Sequence, residues 1–391
     1  MSLTEQIKNM GKEIGLDIIR ITNAETFPQT ENSIIKSIKK GYIPRSEYRN
    51  NKDISLNSEE INFNKISKRC NPKNILKKAK SIISVAQYYL IEEDHNFEES
   101  GQPCGRIAKY DIANFYYEVK EKLKKIIDFI SQESNYKYKS KNKSCYVSLV
   151  EKPIAQRAGV GWYGKNGIII TEKYGSWVVL GEIFTELELE TDNPIQNNCG
   201  DCRICIDSCP TQAIVSPYVI DRTKCLQYIS ERLMNVPLAY REIWGDNLYG
   251  CTICQDVCPK NKNKKPKKYQ PKYGYIGPKI PLIPLLKMTE EEFKSYFTDN
   301  QIAMRPRDAI KRNAVLALGN IGNPIAVPHL ITVLQEDDNL IVRGHTAWAL
   351  GKLGGKKSKS ALEKALKIED NEDVKKEIIN ALEMQNRKSV Y

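Results

Sequence analysis

The spacing of eight cysteines constrains this chain more than any other feature of its sequence. The first run, from Cys199 to Pro210, has the pattern C-x2-C-x2-C-x3-C-P, and the last run, from Cys251 to Pro259, has the pattern C-x2-C-x3-C-P. Cys225 lies between them. Three thiolates at such short intervals wrap one [4Fe–4S] cubane, while the Cys-Pro turn directs a fourth thiolate towards a second cubane. The sequence therefore predicts two iron–sulfur clusters in one small domain.

Crossing of the fourth cysteine, as in bacterial two-cluster ferredoxins, assigns four thiolates to each cluster. The first cluster takes Cys199, Cys202, Cys205 and Cys258, and the second takes Cys209, Cys225, Cys251 and Cys254. A pair of structural zinc sites is the alternative, but zinc sites do not need the x3-C-P ending that occurs twice here. A disulfide framework is disfavoured, because the chain is long and no signal peptide or hydrophobic span precedes the cysteines.

An excess of positive charge points to an anionic partner. The formal net charge is +12 over 391 residues, and seven lysines but no acidic residue lie from Lys260 to Lys272. Such a run is either a solvated linker or part of a binding surface. No apolar stretch approaches the roughly 20 residues of a membrane-spanning helix, so we expect no membrane association. Iron–sulfur thiolates beside free thiols fit a reducing cytoplasm. The remaining thiols are Cys70, Cys104 and Cys145.

Residues 1–190 predict an α/β domain with a mixed sheet. The nearly continuous apolar run from Ser81 to Leu90 predicts a buried strand. The apolar spacing from Asn114 to Ser131 predicts a long amphipathic helix. Two ferredoxin-type clusters need only about 60 residues. The large domain ahead of them therefore indicates a bound cofactor or substrate.

The C-terminal region contains an internal repeat. The motif from Ala314 to Gly322 recurs from Thr346 to Gly354, an offset of 32 residues. A helical repeat of this length predicts a small solenoid of paired helices. A basic segment precedes the first repeat, and a solenoid with a basic edge favours contact with an RNA backbone. The bases of that segment are Arg305, Arg307, Lys311 and Arg312.

Taken together, these motifs resemble the epoxyqueuosine reductase family over nearly the whole chain. Besides the double-cluster block, the stretches that carry the resemblance are Gly105–Tyr110, Arg157–Asn166, Tyr249–Pro259, Arg312–Asn320 and Val342–Gly351. The resemblance implies a cytoplasmic oxidoreductase that converts epoxyqueuosine to queuosine in tRNA, the last step of queuosine biosynthesis. It also implies two [4Fe–4S] clusters and cobalamin, which is reduced through the clusters.

The same resemblance implies three domains and a connecting segment. They are an α/β corrinoid-binding and catalytic domain over 1–190, a bacterial ferredoxin-like double-cluster domain over 191–262, a basic linker or strap over 263–304, and an all-α domain of HEAT-like repeats over 305–391.

The resemblance also places cobalamin contacts on nine positions of this sequence. They are Arg69, Ala108, Cys145, Lys152, Asn166, Ile169, Leu180, Thr252 and Ile253. The three histidines of the chain, His95, His329 and His345, lie outside the D-x-H-x-x-G context in which histidine replaces the lower ligand of cobalamin. We therefore expect base-off cobalamin with no protein histidine on the cobalt.

The proton-donor position departs from the family pattern, as does Phe115-Tyr116-Tyr117, where the family favours Asp-Tyr-His. The family carries an aspartate proton donor six residues before an acidic–basic pair, and here that pair is Glu151-Lys152 and the earlier residue is Cys145. A thiol can donate a proton near neutral pH. Three interpretations stay open: Cys145 is the acid, Glu151 or a water replaces it, or the chain performs related corrinoid chemistry on another substrate. A buried Cys145 without any role is the structural alternative.

The implied partners are tRNA and a reductant protein or flavin system, and we expect a monomer. The basic segment from Arg305 to Arg312 is expected to contact tRNA phosphates. Two other functions stay open. One is a reductive dehalogenase-like corrinoid and iron–sulfur reductase for another substrate, and the other is a non-catalytic electron-transfer or RNA-binding protein.

Overall fold

A computed structural model describes residues 1–44, 47, 62–92, 101–143 and 149–388. The strands in this part of the chain are β1 Ile18–Asn23, β2 Ser81–Tyr88, β3 Cys104–Ile107, β4 Ser140–Lys143, β5 Trp162–Tyr163, β6 Ile169–Ile170, β7 Val178–Thr185, β8 Ile214–Ser216, β9 Val219–Ile220, β10 Asn247–Tyr249 and β11 Lys279–Pro281. The α-helices are α1 Leu3–Glu13, α2 Pro28–Lys39, α3 Phe63–Arg69, α4 Phe115–Glu133, α5 Glu151–Arg157, α6 Ile204–Asp207, α7 Leu226–Ser230, α8 Leu238–Arg241, α9 Ile253–Asp256, α10 Glu290–Tyr296, α11 Arg307–Ile321, α12 Val327–Glu336, α13 Leu340–Leu353, α14 Gly355–Ile368 and α15 Glu372–Lys388.

Contacts divide the chain into two units, each assembled from separated segments. The first comprises residues 1–92, 115–225 and 253–273, and the second comprises the described residues of 93–114, 226–252 and 274–391. The domain limits drawn from the sequence stay a prediction.

A four-stranded sheet of order β1-β2-β7-β4 forms the centre of the first unit. Every neighbouring pair in this sheet is antiparallel. The prediction of a mixed sheet is therefore wrong here, because a continuous apolar run shows burial on both faces but not strand direction. The predicted strand from Ser81 is confirmed as β2, which is buried along its whole length.

Helices α4 and α5 cover opposite faces of β7. A Cβ atom added at Gly181 would lie 2.6 Å from Val119 Cγ1, so this position faces α4. The neighbouring Leu180 belongs instead to an apolar cluster with Ala155 and Ala158. Because successive residues of a strand point to opposite faces, Leu180 and every second residue from it face α5.

The second unit contains the predicted repeats. Helices α11, α13 and α15 pack in a row, with α12 and α14 beside them. A Cβ atom at Gly319 would lie 3.0 Å from Ala349 Cα, and one at Gly351 would lie 2.8 Å from Ala381 Cα. Each glycine and each alanine is 32 residues from its counterpart, so the sequence repeat is a packing repeat.

The starts of α13 and α15 repeat as well. The side chain of Asn339 accepts hydrogen bonds from Ile341 N and Val342 N, and that of Asn371 accepts one from Val374 N at 3.1 Å. Asparagine at this position satisfies amide groups that the first turn of a helix leaves unpaired.

A small sheet of order β10-β3-β11 also belongs to the second unit. Strand β10 runs parallel to β3, and β11 runs antiparallel to it. Across the described residues, none of the helices combines the length and the apolar character needed to cross a bilayer.

Candidate iron–sulfur and cofactor site

The four thiols predicted for the first cluster come together in the first unit. Burial, with the nearby thiols of Cys258, Cys199 and Cys202, raises the pKa of Cys205 to about 11. Among the described residues, no three His, Cys, Asp or Glu side chains converge closely enough to hold a single metal ion. A cubane places its irons at separate corners, so its thiolates stand apart around it rather than meeting at one point.

Three of the thiols predicted for the second cluster also belong to the first unit. Cys209 Sγ accepts a hydrogen bond from Ala213 N at 3.3 Å. Cys225 and Cys254 both lie near the amine of Lys152, where their thiolate charge favours its protonated form. The sequence spacing predicts that these cysteines bind one cluster, and in the folded chain Cys225 and Cys254 both lie near Lys152.

Cys251, the fourth member, belongs to the second unit and follows a glycine that no other residue can replace without strain. Gly250 has a φ of +76°. A Cβ atom there would lie 2.4 Å from Ala108 Cβ and 2.6 Å from Tyr110 Oη. The close approach and the positive φ both require glycine, so the backbone that presents Cys251 is fixed against Ala108, a predicted cobalamin contact.

Buried amides fix the segment that carries Cys254 and Cys258. Gln255 Nε2 donates to Ser176 O at 3.0 Å and to Tyr89 Oη at 3.1 Å. Asn261 Nδ2 donates to Gln255 O at 2.7 Å, and Asn261 Oδ1 accepts from Ser176 N at 2.7 Å. These buried groups satisfy one another, so the loop has a defined shape set by the protein itself.

Lys152 marks a cleft beside the second cluster set. Its side chain keeps solvent-accessible surface, yet desolvation by the surrounding protein lowers the pKa of Lys152, and Arg222 adds to the decrease. An amine that is accessible and yet desolvated lies on a concave surface rather than a convex one, and we call the surface around Lys152 the cleft. Lys152 Nζ donates to Gly167 O at 2.7 Å. The neighbouring Asn166 donates through Nδ2 to Cys254 O at 3.3 Å.

Apolar residues complete this neighbourhood around α5. Ile169 and Leu180 share one apolar cluster with Ala155 and Ala158 of α5. Among the described residues, six predicted cobalamin contacts, Lys152 included, belong to the first unit. Lys152 is part of α5, Ile169 and Leu180 pack against that helix, and Asn166 precedes the Gly167 carbonyl that Lys152 contacts. Arg69 ends α3 and Ile253 begins α9. Ala108 and Thr252 belong to the second unit.

Three family models match separate parts of the chain. A 4Fe-4S double cluster binding domain matches residues 198–261, HEAT repeats match residues 301–383, and the model described as epoxyqueuosine reductase QueG, DUF1730, matches residues 69–142. The first two confirm the predicted double-cluster and repeat regions.

Full-length relatives decide the family. Epoxyqueuosine reductase of Bacillus subtilis (strain 168) is 33% identical over 98% of this chain and 96% of that protein. This chain belongs to the epoxyqueuosine reductase family. A crystal structure of epoxyqueuosine reductase with an epoxyqueuosine-modified tRNA-Tyr stem loop matches with a TM-score of 0.86 and 31% identity, over 98% of this chain and 99% of that chain. The enzyme from Streptococcus thermophilus matches with a TM-score of 0.86 and 27% identity, over 99% of this chain and 100% of that chain.

Of the two candidate proton donors in this member of the epoxyqueuosine reductase family, the structure describes only Glu151. Cys145 lies outside the described residues, which leave β4 at Lys143 and resume before α5. Glu151 is the first residue of α5 and is half-buried, directly before Lys152 of the cleft. The roles of Cys145 and Glu151 stay predictions.

Two bases of the predicted RNA-binding segment are buried. Arg312 is 0% exposed, and its guanidinium donates to Met234 O at 2.5 Å and to Ile229 O at 2.9 Å. Lys311 is 7% exposed, with Nζ 2.7 Å from Asp337 Oδ2. The prediction that these two side chains contact phosphate is wrong, because their donors are engaged inside the second unit.

The other two bases are partly exposed and already paired. Arg305 Nε donates to Tyr249 Oη at 2.7 Å, and Arg307 forms an ion pair of 2.8 Å with Asp308. Their contact with RNA stays a prediction. Helix α14 of the same unit carries five exposed lysines, and they are Lys356, Lys357, Lys359, Lys364 and Lys367.

A group of buried acids escaped the sequence reasoning. Asp111 is 3% exposed, and burial, with the nearby Glu231, raises its pKa to about 8 against the opposing charge of Arg305. Glu182 of β7 is 0% exposed. The sequence signal for Glu182 was an acidic residue inside the apolar run from Val178 to Phe184. Asp111 had no such signal, because Glu231 and Arg305 are each more than 100 positions from it in the sequence.

Proposed function

We propose that this chain reduces epoxyqueuosine to queuosine in tRNA, the last step of queuosine biosynthesis, with cobalamin that is reduced through two [4Fe–4S] clusters. One observation carries the proposal. The side chain of Asn166, beside the desolvated amine of Lys152, donates to the backbone of Cys254. The proposed cofactor cleft and a predicted ligand of the second cluster are therefore neighbours, as electron transfer between two bound centres requires.

The residues around α5 fit a corrinoid. An accessible but desolvated lysine, a buried asparagine and an apolar surface of Ile169 and Leu180 combine polar and apolar contacts in one cleft. Lys152, Asn166, Ile169 and Leu180 would hold the group, with Arg69, Cys145 and Ile253, and with Ala108 and Thr252. Bound cobalamin would supply a strongly reducing metal centre, which amino-acid side chains lack.

Protein groups must supply protons to the reaction. Removal of an epoxide oxygen as water, leaving a carbon–carbon double bond, consumes two electrons and two protons. A general acid must stand within hydrogen-bond reach of that oxygen. Cys145, at the family's donor position, and Glu151, at the start of α5, are the candidates, and an external reductant protein or flavin system supplies the electrons.

A tRNA substrate accounts for the positive charge. A relative's crystal structure contains an epoxyqueuosine-modified tRNA stem loop. HEAT repeats match residues 301–383 of this chain. Helix α14 and the run from Lys260 to Lys272 carry exposed lysines that can reach phosphates, whereas Arg312 is buried. We propose that phosphates contact these lysines, with Arg305 and Arg307, and that the enzyme acts as a monomer in the cytoplasm.

Anaerobic turnover tests the proposed function directly. The reconstituted chain, with added cobalamin and a strong reductant, should convert epoxyqueuosine in tRNA to queuosine, measured by mass spectrometry of nucleosides. Omission of cobalamin should abolish conversion. If product formed at the same rate without cobalamin, the proposed chemistry would be wrong.

The cysteine at the donor position favours a second candidate, a related corrinoid and iron–sulfur reductase with another substrate. If the parent chain fails on epoxyqueuosine tRNA while Cys145→Asp succeeds, the second candidate is favoured. If the parent succeeds and Cys145→Ala abolishes turnover while both clusters and bound cobalamin remain, Cys145 is the acid. If Cys145→Ala turns over tRNA at the parent rate, Cys145 is not the acid and Glu151 is the next residue to test.

A further inference from the structure

Glu182 is a carboxyl group enclosed beneath α5. It lies on β7 between Leu180 and Phe184, and all three face α5 because they alternate with Gly181, which faces α4. Leu180 packs with Ala155, and Phe184 packs with Ile154. Glu182 thus occupies the strip between two apolar clusters and is 0% exposed.

Neither carboxyl oxygen of Glu182 has a hydrogen-bond partner among the described residues. Its neighbours across the sheet are Ser84 of β2 and Lys143 of β4. The Ser84 hydroxyl is likewise buried without a hydrogen-bond partner in the described part of the chain. An isolated carboxylate in such a place would be strongly unfavourable, so the group remains neutral.

The titratable group that acts on Glu182 from α5 is Glu151. Burial, followed by the charge of Glu151, raises the pKa of Glu182 well above its ordinary value. From β4 the register partner is Lys143, from β2 it is the uncharged Ser84, and α4 lies on the other face of the strand. Glu151 lies three and four residues before Ile154 and Ala155, which pack against β7, so it shares their face of α5. The two carboxyl groups therefore form a pair, in which Glu182 is enclosed and Glu151 is half-buried next to Lys152 of the cleft.

We infer that Glu182 stores a proton beneath α5 and exchanges it with Glu151, so that the pair can deliver protons to the cleft. Glu182 acts through Glu151 and is a positioning residue rather than a catalytic one. The inference rests on the proposed function only for the use to which the proton is put.

The proton balance of the proposed reaction gives this pair a role. The departing oxygen needs two protons, and one donor residue holds one. Transfer of the Glu182 proton through an intervening water to the Glu151 carboxylate leaves Glu182 as carboxylate and Glu151 as the acid, which can then donate to the oxygen in the cleft. Solvent restores the proton of the pair afterwards, and the two electrons come from the external low-potential reductant through the clusters.

Infrared spectroscopy tests the stored proton without any turnover. Asp111, with a pKa of about 8, would give a band of its own, so every chain in this test carries Asp111→Asn. The purified Asp111→Asn chain should show the carbonyl stretch of a protonated carboxylic acid at neutral pH, and adding Glu182→Gln should abolish that band. The matched control is Glu188→Gln, which removes a carboxylate of 82% exposure just beyond the same strand and should leave the band intact. A band that persists in Glu182→Gln overturns the inference.

Glu151→Gln tests the exchange while Glu182 remains in place. Without the neighbouring carboxylate, the band of Glu182 should titrate at a lower pH than in the parent chain. An unchanged titration would show that the two groups are not coupled. This measurement stands even if Glu182→Gln fails to fold.

Single-turnover rates connect the pair to the reaction. Glu182→Gln should bind cobalamin and accept electrons like the parent, but its rate should fall roughly tenfold or more. The decrease should grow as pH rises and solvent protons become scarce. Equal pH profiles would overturn the role in proton delivery. A parent chain that shows the protonated band but never reduces epoxyqueuosine would contradict the proposed function while leaving the stored proton established.

Discussion

Asp111 illustrates how a single buried acid makes stability depend on pH. It lies in the second unit near Glu231 and Arg305. In the unfolded chain its proton is released near the ordinary value of 3.8, and in the folded chain at about 8. The folded state therefore binds more protons across this window, and the free energy of unfolding falls as pH rises through it.

Asp111→Asn should flatten this dependence. The variant cannot ionise, so between about pH 5 and about pH 8 its stability should fall less than that of the parent, by on the order of a few kcal/mol. Melting temperatures across the pH range measure the difference. Asp370→Asn, an exposed change in the same unit, should follow the parent. A parent-like slope in Asp111→Asn would mean that Asp111 is ionised throughout.

Residues with a local pattern were predictable, and residues with distant partners were not. The cluster cysteines are recognisable because their ligand spacing is short and chemically specific. Glu182 and Asp111 differ from surface acids only through strands and loops that fold over them. Residue propensity and motif spacing do not indicate that burial. The neutral state of Glu182 and Asp111 therefore follows only from the tertiary structure.

At the scale of elements, α11 shows why a basic residue predicted to bind RNA instead stabilises the fold. Sequence alone places Arg312 on a basic edge, but the helix turns it inward, where its guanidinium also lies 5.6 Å from the Trp244 ring centre. Burial lowers the pKa of Arg312 to about 9. The carbonyl groups that it satisfies are about 80 residues away in sequence, beyond the reach of a local pattern.

Arg312→Ala should therefore destabilise the second unit rather than weaken an RNA contact. Removal of the buried donor leaves the carbonyl groups of Met234 and Ile229 unsatisfied and opens a cavity. We expect a cost of roughly 3 kcal/mol or more in the free energy of unfolding. Thermal and denaturant unfolding measure it. Arg387→Ala, at 82% side-chain exposure, should cost less than about 0.5 kcal/mol. A folded, stable Arg312→Ala with weakened tRNA binding would restore the original prediction.

For the whole molecule, the net charge of +12 sets how binding responds to salt. Each phosphate that a lysine neutralises releases counterions, so affinity for tRNA should fall steeply as salt rises. Replacing Lys356, Lys357 and Lys359 of α14 with alanine should weaken binding and reduce the salt slope by about 0.7 to 0.9 for each phosphate that is no longer neutralised. Titrations by fluorescence anisotropy at several salt concentrations measure both quantities.

Two triple variants of equal charge serve as comparisons for α14. Lys12, Lys124 and Lys125 are exposed lysines of α1 and α4, and their replacement should change affinity by little more than the long-range effect of removing charge. The second variant replaces Lys262, Lys265 and Lys268. If only this variant lowers the salt slope, the tRNA phosphates bind the lysine run and the assignment to α14 is wrong.

The hydrogen-bonded amides of Gln255 and Asn261 have a practical consequence for handling the enzyme. Oxygen destroys exposed clusters, but the hydrogen bonds among Ser176, Gln255 and Asn261 involve protein atoms alone. The loop between Cys254 and Cys258 should thus keep its shape in protein purified in air. Anaerobic treatment with iron and sulfide should then refill the sites without an unfolding step, at a rate set by reagent supply rather than by refolding.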